Sequence, residues 1–269
     1  MRLNLQLLKE SIKDHRVRWA TFCLIGFGFL VLYIATFPAI QKSSADYDKL
    51  ISTLPKGVIS AFNITTGPQT LIGYLASKHF GFTWPLMLIM LAVSYSSYAI
   101  AQGVQDKTIT HLLAMPISRK ELYLTRLVSG TIGIIFFVII SQVLVIPLAA
   151  LFKYNLSNSD AVMIAILGLL FGLAVLGLGM LSSAIANDAR KSTAAISGVL
   201  LISYVLYLIA SLETNLDKLK YFSVFHYFNP GRVVTTGSLE SSSLLFLLGT
   251  FIISTLIGLF YFRKKDIPI

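Results

Sequence analysis

"AVMIAILGLLFGLAVLGLGMLSSAIA", residues 161–186, runs through 26 positions without one ionisable side chain. At 1.5 Å rise per residue, about 20 apolar residues cross the roughly 30 Å hydrocarbon layer of a bilayer. This stretch is therefore a membrane span, and it decides the fold class. Working outward from it, five further apolar runs of spanning length occupy residues 19–40, 83–101, 127–151, 193–211 and 243–262. Each is bounded by charge or by Pro, Gly and Asn clusters. The whole chain agrees: 269 residues, 55% hydrophobic, 13% charged, mean hydropathy +0.77. Soluble domains run near 45–50% apolar and about 25% charged. The expectation is an all-α polytopic membrane protein, residues 1–269 forming a single transmembrane domain with six transmembrane helices.

Gly168 and Gly172 in the starting stretch make a small-xxx-small pair, followed by Gly177 and Gly179. Small residues let helix backbones approach closely in lipid, so this fourth span is expected to be a tightly packed inner helix. Lining a substrate path is its alternative role.

The formal charge of +10 does not point to nucleic acid, because it is distributed by topology. Assigned to alternate loops, 14 of the Lys and Arg residues fall on one side and 8 on the other. The positive-inside rule then places both termini and the 102–126 loop in the cytoplasm of a cell-membrane protein, with the remaining basic charge meeting lipid headgroups. The single cysteine, Cys23, lies in an apolar run, so no disulfide framework is expected. The first apolar run is longer than a signal core and lacks a small-x-small site, so it reads as a span.

Residues 3–16, "LNLQLLKESIKDHR", place Leu3, Leu7, Leu8 and Ile12 on one face and Lys9, Lys13 and Arg16 on another. That pattern predicts an amphipathic helix lying in the membrane interface; an ordinary solvated helix fits it too. Residues 41–82 form an outer loop that turns apolar again from Gln69 to Phe80, where a helix leading into the second span is expected. Sequons stand at Asn63 and Asn155, and such short motifs also arise by chance. Between the last two spans, residues 212–240 carry Tyr221, Phe222, Phe225, Tyr227 and Phe228 before a break at Asn229-Pro230-Gly231. They predict a re-entrant helical hairpin or, equally, an outer loop with an aromatic belt.

No Asp, Glu, Lys, Arg or His falls inside the six runs as drawn. Intramembrane charge marks proton relays and ion paths, so a proton-coupled carrier is disfavoured. His15, His79, His111 and His226 are scattered without metal-ligand spacing, which argues against a metal site and against an intramembrane protease. No G-x-x-x-x-G-K-[ST] is present, so the chain is not expected to bind ATP phosphates itself. No catalytic pair supports an enzyme, a lipid-modifying one included.

One polar segment stands out, "TITHLLAMPISRKELYLTR", residues 108–126. Ile109, Leu112 and Leu113 share one face of a short helix over 108–115. Pro116 stops it, lacking a donor for the turn and clashing with the one before. Ser118 and Glu121 have capping-box spacing and should start the third helix. The segment is either a capped turn or a rigid lever for a partner to push.

These residues resemble the cytoplasmic-loop signature of ABC-2 type permeases, in which Gly-Thr-Leu-x-x-Leu-Leu is followed by Pro-Ile-Ser-Arg and an acidic residue. Thr108, Ile109, Leu112, Leu113, Pro116, Ile117, Ser118, Arg119 and Glu121 match, as does the terminal "YFRKKDI". Lys107 stands where the family usually has Gly, and Gln105 where it often has Glu. The resemblance implies an exporter permease that pairs with a second permease subunit, as homodimer or heterodimer, above two nucleotide-binding ATPase subunits. Those partners would bind ATP and Mg, leaving this chain without a cofactor. It also implies that 108–115 is a coupling helix, with Thr108, Ile109, Leu112, Leu113, Pro116, Ser118, Arg119 and Glu121 engaging the ATPase and passing its closure to the spans as rigid-body motion. Aromatic-rich spans without buried charge favour a hydrophobic or amphipathic cargo (peptide, drug or lipid-like); an ion- or metal-related cargo is known among relatives. A scaffold or sensor subunit that recruits a partner without transport is the competing reading.

Overall fold

The computed structural model describes residues 4–43, 49, 51–55, 59, 70–109, 117–154 and 158–265, and among them there are helices and turns but no strand. Six helices are long and apolar enough to cross a membrane, and they contain the six expected runs, the fourth ending one residue earlier. We label them α1 (Leu5–Lys42), α2 (Leu71–Gln105), α3 (Arg119–Leu151), α4 (Asn158–Ile185), α5 (Ala189–Leu212) and, after a short α6 (Pro230–Thr236), α7 (Ser241–Lys264).

α1 starts at Asn4, whose side chain accepts from Leu7 N at 3.0 Å, and continues unbroken for 38 residues. The amphipathic stretch expected as a separate interfacial helix is thus the first part of the span helix. The reason lies in its buried stripe: Leu7, Ser11, Trp19, Gly26, Leu30, Ile34 and Phe37 fall at helical spacing on one face against the rest of the bundle, chiefly α3. At 1.5 Å per residue the helix is about 57 Å long, nearly twice the hydrocarbon thickness, so it extends well beyond it.

α2 corrects the sequence reading more deeply. The helix expected from Gln69 to Phe80 is observed from Leu71 and is continuous with the second span as one element, but it carries π-helical turns at His79–Thr83 and Tyr98–Gln102 that the sequence did not show. The first turn directly precedes Trp84-Pro85; a proline inside a helix removes one i→i−4 hydrogen bond, and the ladder opens there. Two histidines lie in the span helices, His15 near the start of α1 and His79 in α2. His79 is fully buried, and neither ring nitrogen has a hydrogen-bond partner. The six runs as drawn hold no Asp, Glu, Lys, Arg or His, and His79 lies four residues before the second of them.

α4 occupies the centre, touching α2, α3, α5, α6 and α7. Its glycines make this possible. A side-chain carbon at Gly168 would collide with the ring of Trp84, and one at Gly172 would come within 2.8 Å of Ile134. Trp84 is itself fully buried and donates from Nε1 to Ser141 Oγ at 3.0 Å. The expected inner helix is therefore observed, although α2 is enclosed by the chain still more fully.

Between α5 and α7 the chain forms a 3₁₀ helix (Thr214–Phe222), a tight turn, and α6. Asn229 caps α6 by accepting from Arg232 N at 2.9 Å, so the expected break at Asn229-Pro230-Gly231 starts a helix. With seven residues α6 rises only about 10 Å, a third of the hydrocarbon layer. A side chain ties this segment to the bundle: the Phe228 ring lies 4.6 Å from that of Phe171 on α4 and 6.4 Å from that of Trp84 on α2. Ser203 Oγ on α5 accepts from Val224 N at 3.2 Å and fixes the turn to the bundle. Tyr221 and Phe222 point outward.

Candidate functional site

The segment singled out in the sequence lies at the end of the bundle where α1 starts and α7 finishes. Its second half is as expected. Ser118 is extended and its Oγ accepts from Glu121 N at 3.2 Å, while Glu121 Oε2 accepts from Ser118 N at 2.9 Å. This reciprocal pair satisfies two of the donors that the first turn of a helix leaves free. Tyr123, the fifth residue of α3, is fully buried and its ring lies tilted beside Phe262 of α7, centroids 6.1 Å apart.

The first half of the corner grows out of α2. Ile109 is 2% exposed and covers Gly103, and Thr108 Oγ1 donates to Gly103 O at 3.4 Å. Leu112, Leu113 and Pro116, the remaining residues assigned to coupling, lie outside the described residues. Lys107 takes a left-handed conformation, φ +57°. Glycine adopts that conformation without a Cβ penalty and lysine does not. The departure from the resemblance noted at this position therefore has a conformational meaning: the chain needs a left-handed residue to turn from α2 into 108–109.

Arg119 is not a free surface charge. Its Nη1 donates to Arg263 O at 3.5 Å and, more closely, to Lys265 O, so it holds the carbonyl end of α7. Lys265 in turn inserts its ammonium at the carbonyl end of α4, donating to Ala184 O at 3.0 Å, Ile185 O at 3.2 Å and Ala186 O at 2.6 Å. Helix C-termini carry unsatisfied carbonyls and partial negative charge, which a cation satisfies. Burial pulls the pKa of this ammonium down to about 8. The result is a chain of ties running α3 to α7 to α4.

Two more ties complete the corner. Ser183 Oγ on α4 accepts from Ala101 N at 3.0 Å and Ile100 N at 3.3 Å, donors that sit in the second π-helical turn of α2. Gln105 Oε1 accepts from Ala189 N at 3.3 Å, capping α5 together with Asp188, whose Oδ1 accepts from Arg190 N at 2.6 Å. Sequence reasoning missed Ser183 and Lys265 and noted Gln105 only as a departure from the family pattern. A basic residue just past a helix does signal a cap, but nothing in the sequence says that Lys265 serves α4 and not its own α7.

At the opposite half of the bundle, a cleft of about 380 Å³ opens between α2 (Phe82, Leu86), α5 (Leu201, Tyr204) and the inserted aromatics Phe225 and Phe228. Its walls are mainly apolar, and Phe82 and Leu201 are more than half exposed on it.

The ABC-2 family transporter model matches residues 7–267, nearly the entire chain. Among curated proteins no sequence matches the chain. With six bundled span helices and a match from the start of α1 to the residues past α7, this multi-pass membrane protein belongs to the ABC-2 family of transporter proteins.

Proposed function

We propose that this membrane subunit of an ABC transporter works as an exporter permease driven by ATP hydrolysis on a separate subunit, with the 102–121 corner as the point where that subunit pushes. What supports the reading is the wiring of the corner. A force applied at 108–121 reaches α3 through the Ser118–Glu121 cap, α7 through Arg119, and α4 through Lys265 and Ser183. A free loop would have none of these ties. Bundled helices joined end to end in this way move as rigid bodies.

In this reading both termini and the corner face the cytoplasm, where 14 of the basic residues fall. Two copies pair in the membrane, ATP and Mg are held by the partner, and the chain itself catalyses nothing. The cargo is apolar or amphipathic, as the aromatic cleft between α2, α5 and Phe228 suits.

The test pairs a binding assay with a transport assay. Leu112→Asp with Leu113→Asp removes the apolar face of the 108–115 segment and is expected to abolish co-purification of the ATPase while the permease still inserts. Proteoliposomes of the intact complex are expected to export a hydrophobic peptide or drug only with ATP. Stoichiometric ATPase recovery on the double variant would refute the coupling assignment. ATPase recruitment without transport of any peptide, lipid or ion in a panel would favour the scaffold instead.

A further inference from the structure

A second cleft, of about 320 Å³, lies beside the corner between α1, the second π-helical turn of α2, and the start of α3. Unlike the aromatic cleft, its lining is charged: Asp14 and Arg18 from α1 and Arg126 from α3, with His15 and Tyr98 beside them. These charges do not cancel by pairing. Among the described residues no ion pair joins Asp14 to either arginine. Arg126 Nη1 donates to Ser11 Oγ at 3.1 Å, but its Nε is buried without a partner. Arg18 reaches Ser94 O at 3.4 Å and otherwise rests over the Tyr98 ring, 5.3 Å from its centroid.

We infer that this cleft holds the headgroup of a membrane phospholipid that carries both a phosphate and a primary ammonium, that is, a phosphoethanolamine group. Two guanidinium groups with open donors suit a phosphate, which arginine binds through paired N–H groups. The unpaired Asp14 carboxylate suits an ammonium with N–H donors. A purely anionic headgroup leaves Asp14 opposed, and a trimethylated one offers it no donor. Depth agrees with a lipid source. Arg18 immediately precedes the apolar run 19–40 and Arg126 immediately precedes 127–151, so both sit where hydrocarbon gives way to headgroups. Tyr98, 48% exposed, presents the half-polar ring favoured at that level. Thr108 and Ile109 line the same cleft, so an occupied site touches the first turn of the corner. The site is independent of whether transport is ATP-driven.

The experiment is native mass spectrometry of the full-length protein with phosphatidylethanolamine, phosphatidylcholine and phosphatidylglycerol of identical acyl chains. Since one partly exposed ion pair is worth up to about 1 kcal/mol, wild type should retain phosphatidylethanolamine three- to fivefold better than either competitor. Asp14→Asn should erase the preference over phosphatidylglycerol while leaving total lipid bound unchanged. Arg18→Gln should lower retention of all three several-fold, and Lys9→Gln, exposed and away from the cleft, should change nothing. Equal retention of the ethanolamine and choline lipids would overturn the inference. So would an Asp14→Asn variant indistinguishable from wild type, which would show that Asp14 does not read the headgroup. A soluble arm separates the source: protection of wild type by glycerophosphoethanolamine alone, with no lipid retained, would assign the cleft to a soluble ligand and overturn the membrane-lipid assignment.

Discussion

Lys107 and His79 are two residues whose environments conflict with their chemistry. Lys107 sits at φ +57°, where a Cβ costs roughly 1–2 kcal/mol and glycine's added flexibility gives back about half of the gain. Lys107→Gly should therefore raise stability by about 0.5–1 kcal/mol, and Lys107→Val, β-branched and worse in this region, should lower it. Thermal unfolding of the purified protein in one detergent ranks the three. His79 is buried against Tyr33 and Phe80 with two unpartnered nitrogens. Replacing a buried unsatisfied group by an apolar one of similar shape is neutral or stabilising, so His79→Phe should hold or raise the melting temperature. If transport falls while stability rises, His79 is retained for function. Neither conflict could be read from the sequence. Lys107 showed only as a mismatch with the family pattern, and His79, although inside the helix expected over Gln69–Phe80, gave no sign of a buried ring without a polar partner. Both readings needed the backbone path, which local residue types do not specify.

At the scale of single elements, caps were the most legible feature and cross-helix ties the least. Ser118 and Glu121 interact through three residues of sequence, so their spacing alone predicted the box that is observed. Ser118→Ala and Glu121→Ala should each destabilise the start of α3 by about 0.5–2 kcal/mol, and the double variant should cost less than their sum because the two contacts act as one unit. Chemical unfolding of the three variants measures this; strict additivity would mean that the two side chains work separately. Lys265 behaves differently, since it serves a helix 79–81 positions away in sequence. Lys265→Met keeps the length of the side chain and removes the cap, leaving the last carbonyls of α4 unmet. Hydrogen bonds to a charged group are worth about 1.5–3 kcal/mol, and a loss in that range is expected, with faster amide exchange confined to the ends of α4 and α7. The same logic revises Arg119: its guanidinium is engaged with α7, so Arg119→Ala should loosen that helix end before it affects any partner.

For the whole molecule, orientation is the prediction with the largest consequence. In a Cys23→Ala background, cysteines placed at Arg119 and Arg190 should be labelled by an impermeant reagent only in inverted vesicles, and one placed at Arg232 only in intact cells. Labelling of position 119 from outside would invert the map and remove the corner from reach of any cytoplasmic ATPase. What the sequence determined by itself is the number of spans, their order, and the small-residue helix around which they gather. Those properties follow from apolar length and from the absence of side chains, and both are written locally as composition. Tertiary structure alone decided how the helices are joined: α1 runs through its amphipathic start because Leu7 and Ser11 continue the stripe buried along the bundle. Phe228 reaches α4, and Arg119 and Lys265 close one end. Each of these depends on a polar or aromatic group finding its partner across the bundle. That choice is made by where backbone donors and acceptors are left unsatisfied once the helices have met.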